Sequence, residues 1–388
     1  MRARLTIFPA PELTSAPGSP TIQDVELIDR ARTSLAAGDA PGAHALLLQA
    51  LKACQTVGDR AGGAAVLHEL AYQARLRGDL AQADPLLRQA IQLRLALEDR
   101  PGWVESVYEL GLLEKARGNI PLATDMFART LFTARQLNDN LYIGRCLHQM
   151  GLIHMEARDY EHADTLLTEA FEIRTSTKDY EGLSATLHEL GVLREGQGDL
   201  FAAADLYKRS LAICEKLSDD VGQVANLSSL GAVYQARSRV AEAERFYQRA
   251  LEVARRKARP DLVAESLHNL GAALYARADY AGAFDHLWQA HQLVADPGLT
   301  EWMRALYTAL GPETFLTQAK RLGIGSSTLT SVLQQEAPAA PAQQLTLARL
   351  VALRLRVGPA QFIVLAKQSQ IPADIVARVE EAAKSLGG

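Results

Sequence analysis

The chain has 388 residues, 48% of them hydrophobic and 22% charged, and its 41 Lys and Arg against 45 Asp and Glu give a net charge of −4. This composition excludes a membrane-embedded, collagen-like or wholly disordered protein. The three cysteines Cys54, Cys146 and Cys214 are far apart in sequence. That spacing argues against a disulfide framework or a zinc ribbon and favours a reducing compartment.

The N-terminus carries an apolar run only at residues 5–8, which Pro9 and Pro11 follow. Such a run is shorter than the apolar core of a signal peptide. We therefore expect residues 1–22 to be a flexible tail, the protein to be cytoplasmic, and no membrane to be among its partners.

A repeat with a period of 40 residues, the spacing of Gly111 and Gly151, occupies residues 23–298. The repeated glycine follows Leu or Met, and an alanine comes twelve residues later. The glycines are Gly111, Gly151, Gly191, Gly231, Gly271 and Gly311, and the alanines are Ala43, Ala83, Ala123, Ala163, Ala203, Ala243 and Ala283. Small residues at fixed places allow helices to pack closely.

Two kinds of turn separate the repeated segments. A Gly-Asp or related pair recurs between the glycine and the alanine, as at Gly78-Asp79 and Gly118-Asn119, and a second Asp recurs at each unit boundary, as at Asp59. Glycine commonly ends a helix, and Asp or Asn caps the next one. The sequence therefore predicts an all-α fold with two antiparallel helices in each of seven units, or 14 helices over residues 24–298.

These small residues resemble the pattern of the tetratricopeptide repeat, which has a small residue at position 8, Ala at position 20 and a small residue at position 27. The 40-residue length is similar to that of kinesin light chains, Leu-Gly-Asn repeat adaptors and bacterial signalling regulators. The aromatic residue that the family has at position 4 is replaced by Leu67, Val107, Leu147, Leu187, Leu227 and Leu267. The resemblance implies a superhelical solenoid whose first helices line a concave, partner-binding groove.

The positions that face the groove in this family define the candidate protein- or peptide-binding residues. They are His68, Tyr72, Arg75, Tyr108, Lys115, Arg145, His148, Met155, His188, Glu195, Gln235, His268 and Tyr275. Position 5 forms a ladder of His and Tyr side chains, with Glu often beside it at position 6. Two interpretations remain open: the ladder binds a peptide, or it forms hydrogen bonds between helices with the neighbouring Glu residues.

Three other kinds of site are disfavoured on the groove. Helices of successive units lie at least about 8–10 Å apart, too far for these histidines to share a metal ion. His68-Glu69 and His188-Glu189 resemble the start of a zincin helix but lack the second histidine. The Lys and Asn of a carboxylate clamp are absent. We expect no metal and no cofactor.

A second duplication, with an offset of 47 residues, relates residues 305–332 to residues 352–379, as in Phe315 and Phe362. Each copy resembles a helix-turn-helix, so we expect one such unit at residues 299–335, a Pro- and Ala-rich linker at 336–344, and a second unit at 345–388. Candidate DNA contacts are Lys320, Arg321, Ser326, Ser327 and Thr328. Residues 299–388 carry a net charge of +3, short of a strongly basic footprint.

Three functions are consistent with this organisation, none of them enzymatic. The sequence contains no P-loop, Rossmann glycine motif or nucleophile elbow, and we assign no catalytic residue. The first interpretation is an adaptor or sensor that binds a protein or peptide in the groove. The alternatives are a transcriptional regulator whose C-terminal units contact DNA, and a scaffold that forms homo-oligomers through the ends of the solenoid.

Overall fold

A computed structural model describes residues 22–256, 259–294, 299–324, 371, 376–377 and 379. Those residues contain no β-strand, and their regular elements are helices. In chain order these are α1 (Ile22–Ala36), α2 (Ala40–Val57), α3 (Arg60–Leu76), α4 (Leu80–Ala96), α5 (Arg100–Ala116), α6 (Ile120–Leu137), α7 (Asn140–Glu156), α8 (Tyr160–Thr177), α9 (Tyr180–Gly196), α10 (Leu200–Leu217), α11 (Asp220–Ala236), α12 (Val240–Arg256), α13 (Pro260–Ala276), α14 (Tyr280–Leu293), α15 (Leu299–Leu310) and α16 (Pro312–Arg321). The chain divides into two compact units, Met1–Ala295 and Asp296–Gly388.

The first fourteen helices form seven consecutive pairs, α1 with α2 through α13 with α14. Each odd-numbered helix from α1 to α11 also contacts the next odd-numbered helix. The odd-numbered helices therefore lie on the inner side of the array, and we call their accessible side the groove face. The predicted all-α solenoid of 14 helices is confirmed.

Close packing within each pair depends on the repeated small residues. The alanines Ala83, Ala123 and Ala163 are completely buried. A Cβ atom added at Gly191 would lie only 2.6 Å from the ring of Tyr207 on the second helix of its pair. Because a side chain does not fit there, the glycine lets the aromatic ring of α10 lie directly on the backbone of α9.

The turns follow the predicted chemistry with one exception. The side chain of Asp79, for example, accepts a hydrogen bond of 3.0 Å from the backbone N–H of Gln82 at the start of α4. Asn119 was expected to cap α6 in the same way, but it does not. Its side-chain amide instead donates to Glu114 at the end of the preceding helix, at 3.2 Å.

The second compact unit, Asp296–Gly388, includes α15 and α16. Gly311 has φ +75°, which glycine tolerates well, and α16 begins immediately after it at Pro312. Phe315 and Ala319 are completely buried, and the Phe315 ring lies edge-on to Tyr307 at 5.3 Å. The linker at 336–344, the part of the first copy after Ile324 and nearly all of the second copy lie outside the described residues.

None of the helices among the described residues is long and apolar enough to span a membrane.

We predict that Ala203→Leu lowers the free energy of unfolding of the array by about 1–3 kcal/mol, because Ala203 is completely buried and a larger side chain overpacks the α9–α10 contact. The measurement is denaturant unfolding followed by circular dichroism. Ala212→Leu, at an exposed position of the same helix, is the matched control. Equal unfolding midpoints for the two variants would contradict the packing argument.

Candidate functional site

The candidate groove residues fall into two groups by accessibility. Tyr108 and His148 are buried, with 7% and 8% of their surface exposed. The remaining candidates are half-buried: His68, Tyr72, Arg75, Lys115, Arg145, Met155, His188, Glu195, Gln235, His268 and Tyr275. A partner therefore has access to the second group more readily than to Tyr108 and His148.

Three histidines of the position-5 ladder make contacts between units. Nδ1 of His68 lies 3.2 Å from Oγ of Ser106, and Nδ1 of His188 lies 3.0 Å from Oδ1 of Asn226. His148 lies 3.4 Å from Oγ1 of Thr186 in the same way. Each partner is on the first helix of the next unit and is not the neighbouring Glu. These histidines therefore connect successive first helices.

In two of these contacts, a buried arginine also donates a hydrogen bond to the hydroxyl group that the histidine contacts. Arg174, at the end of α8, donates to the backbone carbonyl of Gly182 at 2.6 Å and to Oγ1 of Thr186 at 2.5 Å. A Cβ atom added at Gly182 would lie 2.7 Å from Nε of Arg174, so glycine leaves the space that the guanidinium fills. Arg94 likewise donates to Gly102 and Ser106, which makes the same cluster two units earlier.

These clusters keep their histidines neutral. Burial, together with the positive charge of Arg94, lowers the pKa of His68 to about 3. Burial and the charge of Arg174 lower the pKa of His148 to about 3. A neutral imidazole suits a connecting role between helices.

The interface between α5 and α7 contains aromatic residues at the positions where the other two interfaces have the histidine–arginine cluster. Ala134 takes the place of the arginine and Tyr142 takes the place of the glycine. The Tyr142 ring lies edge-on to Tyr108 at 5.5 Å, so aromatic packing replaces the hydrogen-bonded cluster. Burial raises the pKa of Tyr108 to about 12.

Ion pairs and cation–π contacts cross the first half of the groove face. Arg75 donates to Glu109 at 2.8 Å, and Lys115 lies 3.2 Å from Glu156. The guanidinium of Arg145 lies 5.1 Å from the centre of the Tyr142 ring. This half of the groove face, formed by α3, α5 and α7, is therefore charged and aromatic.

The second half of the groove face, formed by α9, α11 and α13, carries smaller side chains. The groove-facing positions there include the accessible residues Ala185, Ala225, Ala232 and Ala272. Tyrosines of the second helices form hydrogen bonds with two of the candidate groove residues. The Tyr207 hydroxyl donates to Glu195 at 2.9 Å, and the Tyr247 hydroxyl donates to Gln235 at 3.4 Å. Apart from Met155, the groove residues predicted from the sequence are polar or aromatic, and the room that these alanines leave was not predicted.

Within the part of the chain that the structure describes, one group of side chains has the spacing of metal ligands, and it lies at the turn between α7 and α8. The ligand atoms of His154, Asp159 and His162 are all within 4.8 Å of one another. Nδ1 of each histidine lies 2.9 Å from the Asp159 carboxylate, which also caps α8. Hydrogen bonding of the histidines to the cap explains this arrangement without an ion. This group was not predicted from the sequence, because its members lie five and three residues apart across a turn.

The candidate DNA contacts are described only in part. Lys320 and Arg321 are exposed in the last turn of α16. Ser326, Ser327 and Thr328 lie outside the described residues.

Residues 142–216 and 222–295 match the model of a protein family described as tetratricopeptide repeat. A search of curated protein sequences finds no match.

Solved structures resemble the chain at low sequence identity. The signal transduction ATPase with a tetratricopeptide repeat sensor from Pyrococcus horikoshii is 17% identical with a TM-score of 0.57, over 76% of this chain and 44% of that protein. The apo form of the quorum sensor NprR from B. thuringiensis is 13% identical with a TM-score of 0.54, over 94% of this chain and 99% of that protein. The apo form of RapI is 13% identical with a TM-score of 0.53, over 70% and 97%. At these identities the likeness establishes a common fold.

We predict that the histidine–arginine cluster between α7 and α9 can be replaced by the aromatic residues found between α5 and α7 without a large loss of stability only when all of its residues are replaced together. Gly182→Tyr alone should lower the free energy of unfolding by roughly 1–3 kcal/mol, because the new ring collides with Arg174. Adding His148→Tyr, Arg174→Ala and Thr186→Cys reproduces the set of residues at the α5–α7 interface and should restore most of the loss. The measurement is denaturant unfolding of both variants, and purely additive losses would contradict the coupling.

We also predict that acidification destabilises the array through His68 and His148. Both have a folded-state pKa of about 3, below the ordinary value of 6.5, so the unfolded chain binds more protons below pH 6.5. Stability contributed by the neutral rings is thus complete above pH 6.5 and falls by roughly 1 kcal/mol per pH unit for each histidine toward pH 3. Denaturant unfolding at pH 7 and pH 5 measures this loss. A His68→Gln/His148→Gln variant with the same pH dependence as the unsubstituted protein would contradict it.

Proposed function

We propose a peptide-binding function for this chain, which is a tetratricopeptide repeat protein. In this proposal it acts as a sensor or adaptor, and a segment of a partner protein or a free peptide lies along the groove face of α3 to α13. The observation that carries the proposal is the row of half-buried polar, charged and aromatic side chains along successive odd-numbered helices. Such a surface offers both hydrogen-bonding groups and apolar area to an extended ligand.

The accessible charged groups of the first half support this function. Arg145 and Lys115 are half-buried, so part of each side chain is exposed to a ligand. Arg145 lies over an aromatic ring, which restrains its guanidinium and reduces the entropy that a ligand contact costs. Two proteins of the same fold are named as a tetratricopeptide repeat sensor and a quorum sensor, and those names are consistent with a sensing role here.

The alternative functions concern other parts of the molecule. A regulator that contacts DNA would use Lys320 and Arg321, which are accessible at the end of α16. A self-assembling scaffold would use the ends of the array. The extended groove face favours the peptide-binding function over both.

The test begins with selection of short peptides from a random phage-displayed library on the full chain, followed by affinity measurements with the selected peptides. We expect Arg145→Ala and Lys115→Ala each to weaken binding about tenfold, because each removes a charge-assisted contact. Arg129→Ala is the matched control, since Arg129 is exposed on the second helix α6. Peptides that bind all three variants as they bind the unsubstituted protein would place the binding site elsewhere.

His188 is the third groove position suited to this test, because it is half-buried whereas Tyr108 and His148 are buried. Substitution of Tyr108 or His148 would disturb buried contacts between units as well as any bound peptide, whereas the contact of His188 with Asn226 is only partly buried. We therefore expect His188→Ala to reduce peptide affinity with a smaller loss of stability than His148→Ala, as measured by titration and by denaturant unfolding. An equal loss of stability in the two variants would contradict this distinction.

A further inference from the structure

Three glutamates occupy the same position of their repeat units and lie on the groove side of α3, α5 and α9. They are Glu69, Glu109 and Glu189, and the last two are separated by two periods of the repeat. Glu69 and Glu109 are buried, and Glu189 is half-buried. A buried carboxylate loses hydration, and an ion pair or hydrogen bonds then stabilise its charge.

The chain itself supplies cations to the first two glutamates. Nε of Arg32, on the first helix of the preceding unit, donates to Glu69 at 2.9 Å. Nε of Arg75, likewise on the preceding first helix, donates to Glu109 at 2.8 Å. The charge of Arg145 on the following first helix also favours the ionised form of Glu109. Each of these carboxylates is therefore paired with a guanidinium from a neighbouring unit.

Glu189 has no such partner. Leu152 occupies the position relative to Glu189 that Arg32 occupies relative to Glu69. Met155 and Ala225 occupy the positions relative to Glu189 that Arg75 and Arg145 occupy relative to Glu109. Among the described residues, no ion pair or hydrogen bond reaches its carboxylate.

The charged and titratable groups around Glu189 do not replace that partner. Burial raises the pKa of Glu189, while the charges of His188 and Lys115 lower it. Lys115 is already paired with Glu156 at 3.2 Å, and the His188 ring is hydrogen-bonded to Asn226. Among the described residues, neither His188 nor Lys115 therefore forms an ion pair or hydrogen bond with the Glu189 carboxylate.

We infer that Glu189 binds an arginine or lysine side chain of the peptide, at the place relative to Glu189 that Arg75 occupies relative to Glu109. This inference rests on the proposed function and adds the chemistry of one ligand residue to it. The apolar stem of the basic side chain would lie along Leu152 and Met155, which are half-buried on the preceding first helix. Ala185 and Ala225 are small and leave room beside the carboxylate.

The experiment uses the same phage-displayed random peptides on the full chain and on three variants. Glu189→Gln removes the charge with little change of shape. Met155→Arg places a guanidinium within the chain at the position equivalent to Arg75. Glu169→Gln is the control, because Glu169 pairs with Arg135 on the second helices.

The inference predicts that peptides selected on the unsubstituted chain carry Arg or Lys at one common position. That enrichment should disappear with Glu189→Gln and with Met155→Arg and persist with Glu169→Gln. Selected peptides are then synthesised with an acetylated N-terminus, which removes the terminal amine as a source of positive charge. Replacing their common basic residue by norleucine should lower affinity for the unsubstituted chain about tenfold or more, and for Glu189→Gln far less.

The outcomes separate the two proposals. Peptides that bind the groove without a common basic residue, or whose basic residue matters equally in Glu189→Gln, would overturn the role of Glu189 and leave the peptide-binding function standing. Affinity that is lost on acetylation alone would assign the carboxylate to an N-terminal amine and overturn the side-chain inference. Failure to select any peptide that the groove variants weaken would overturn the peptide-binding function itself.

Discussion

Close contact between the two helices of each unit is the constraint on which the rest of the structure depends. Gly191 permits the ring of Tyr207 to lie on the backbone of α9, and the completely buried Ala203 occupies the same contact on α10. Because these small residues recur every 40 residues, each pair packs in a similar way. Repetition of one geometry places the odd-numbered helices side by side on the inner side of the array, and their accessible side chains form one continuous groove face.

Contacts between units then determine which groove side chains remain for a ligand. Buried residues such as His148 and Glu109 are used to join successive first helices. Half-buried residues such as Arg145 and Gln235 belong to the same helices but extend to the accessible side. Glu189 differs from Glu69 and Glu109, since it occupies the same position of its unit without the guanidinium that they receive.

The sequence predicted the helix pairs and the turns because both follow from periodic small residues and from local capping chemistry. It did not predict the partner of the histidine ladder, since Ser106 and Thr186 lie 38 residues beyond their histidines and no local pattern connects them. A signal was nevertheless present: Gly102 and Gly182 follow units that end in Arg94 and Arg174, whereas Tyr142 follows Ala134. The predicted Asn119 cap was wrong: the Asn119 side-chain amide donates to Glu114 instead, a contact that helix propensity alone does not reveal.

The most direct test of the account is hydrogen–deuterium exchange of the full chain, alone and with a selected peptide. If the groove face is the binding surface, added protection should appear in the first helices α5, α7, α9 and α11, where a bound peptide suppresses local opening. The second helices α6, α8 and α10 should change less. Protection confined to those second helices, with the first helices unchanged, would contradict the account.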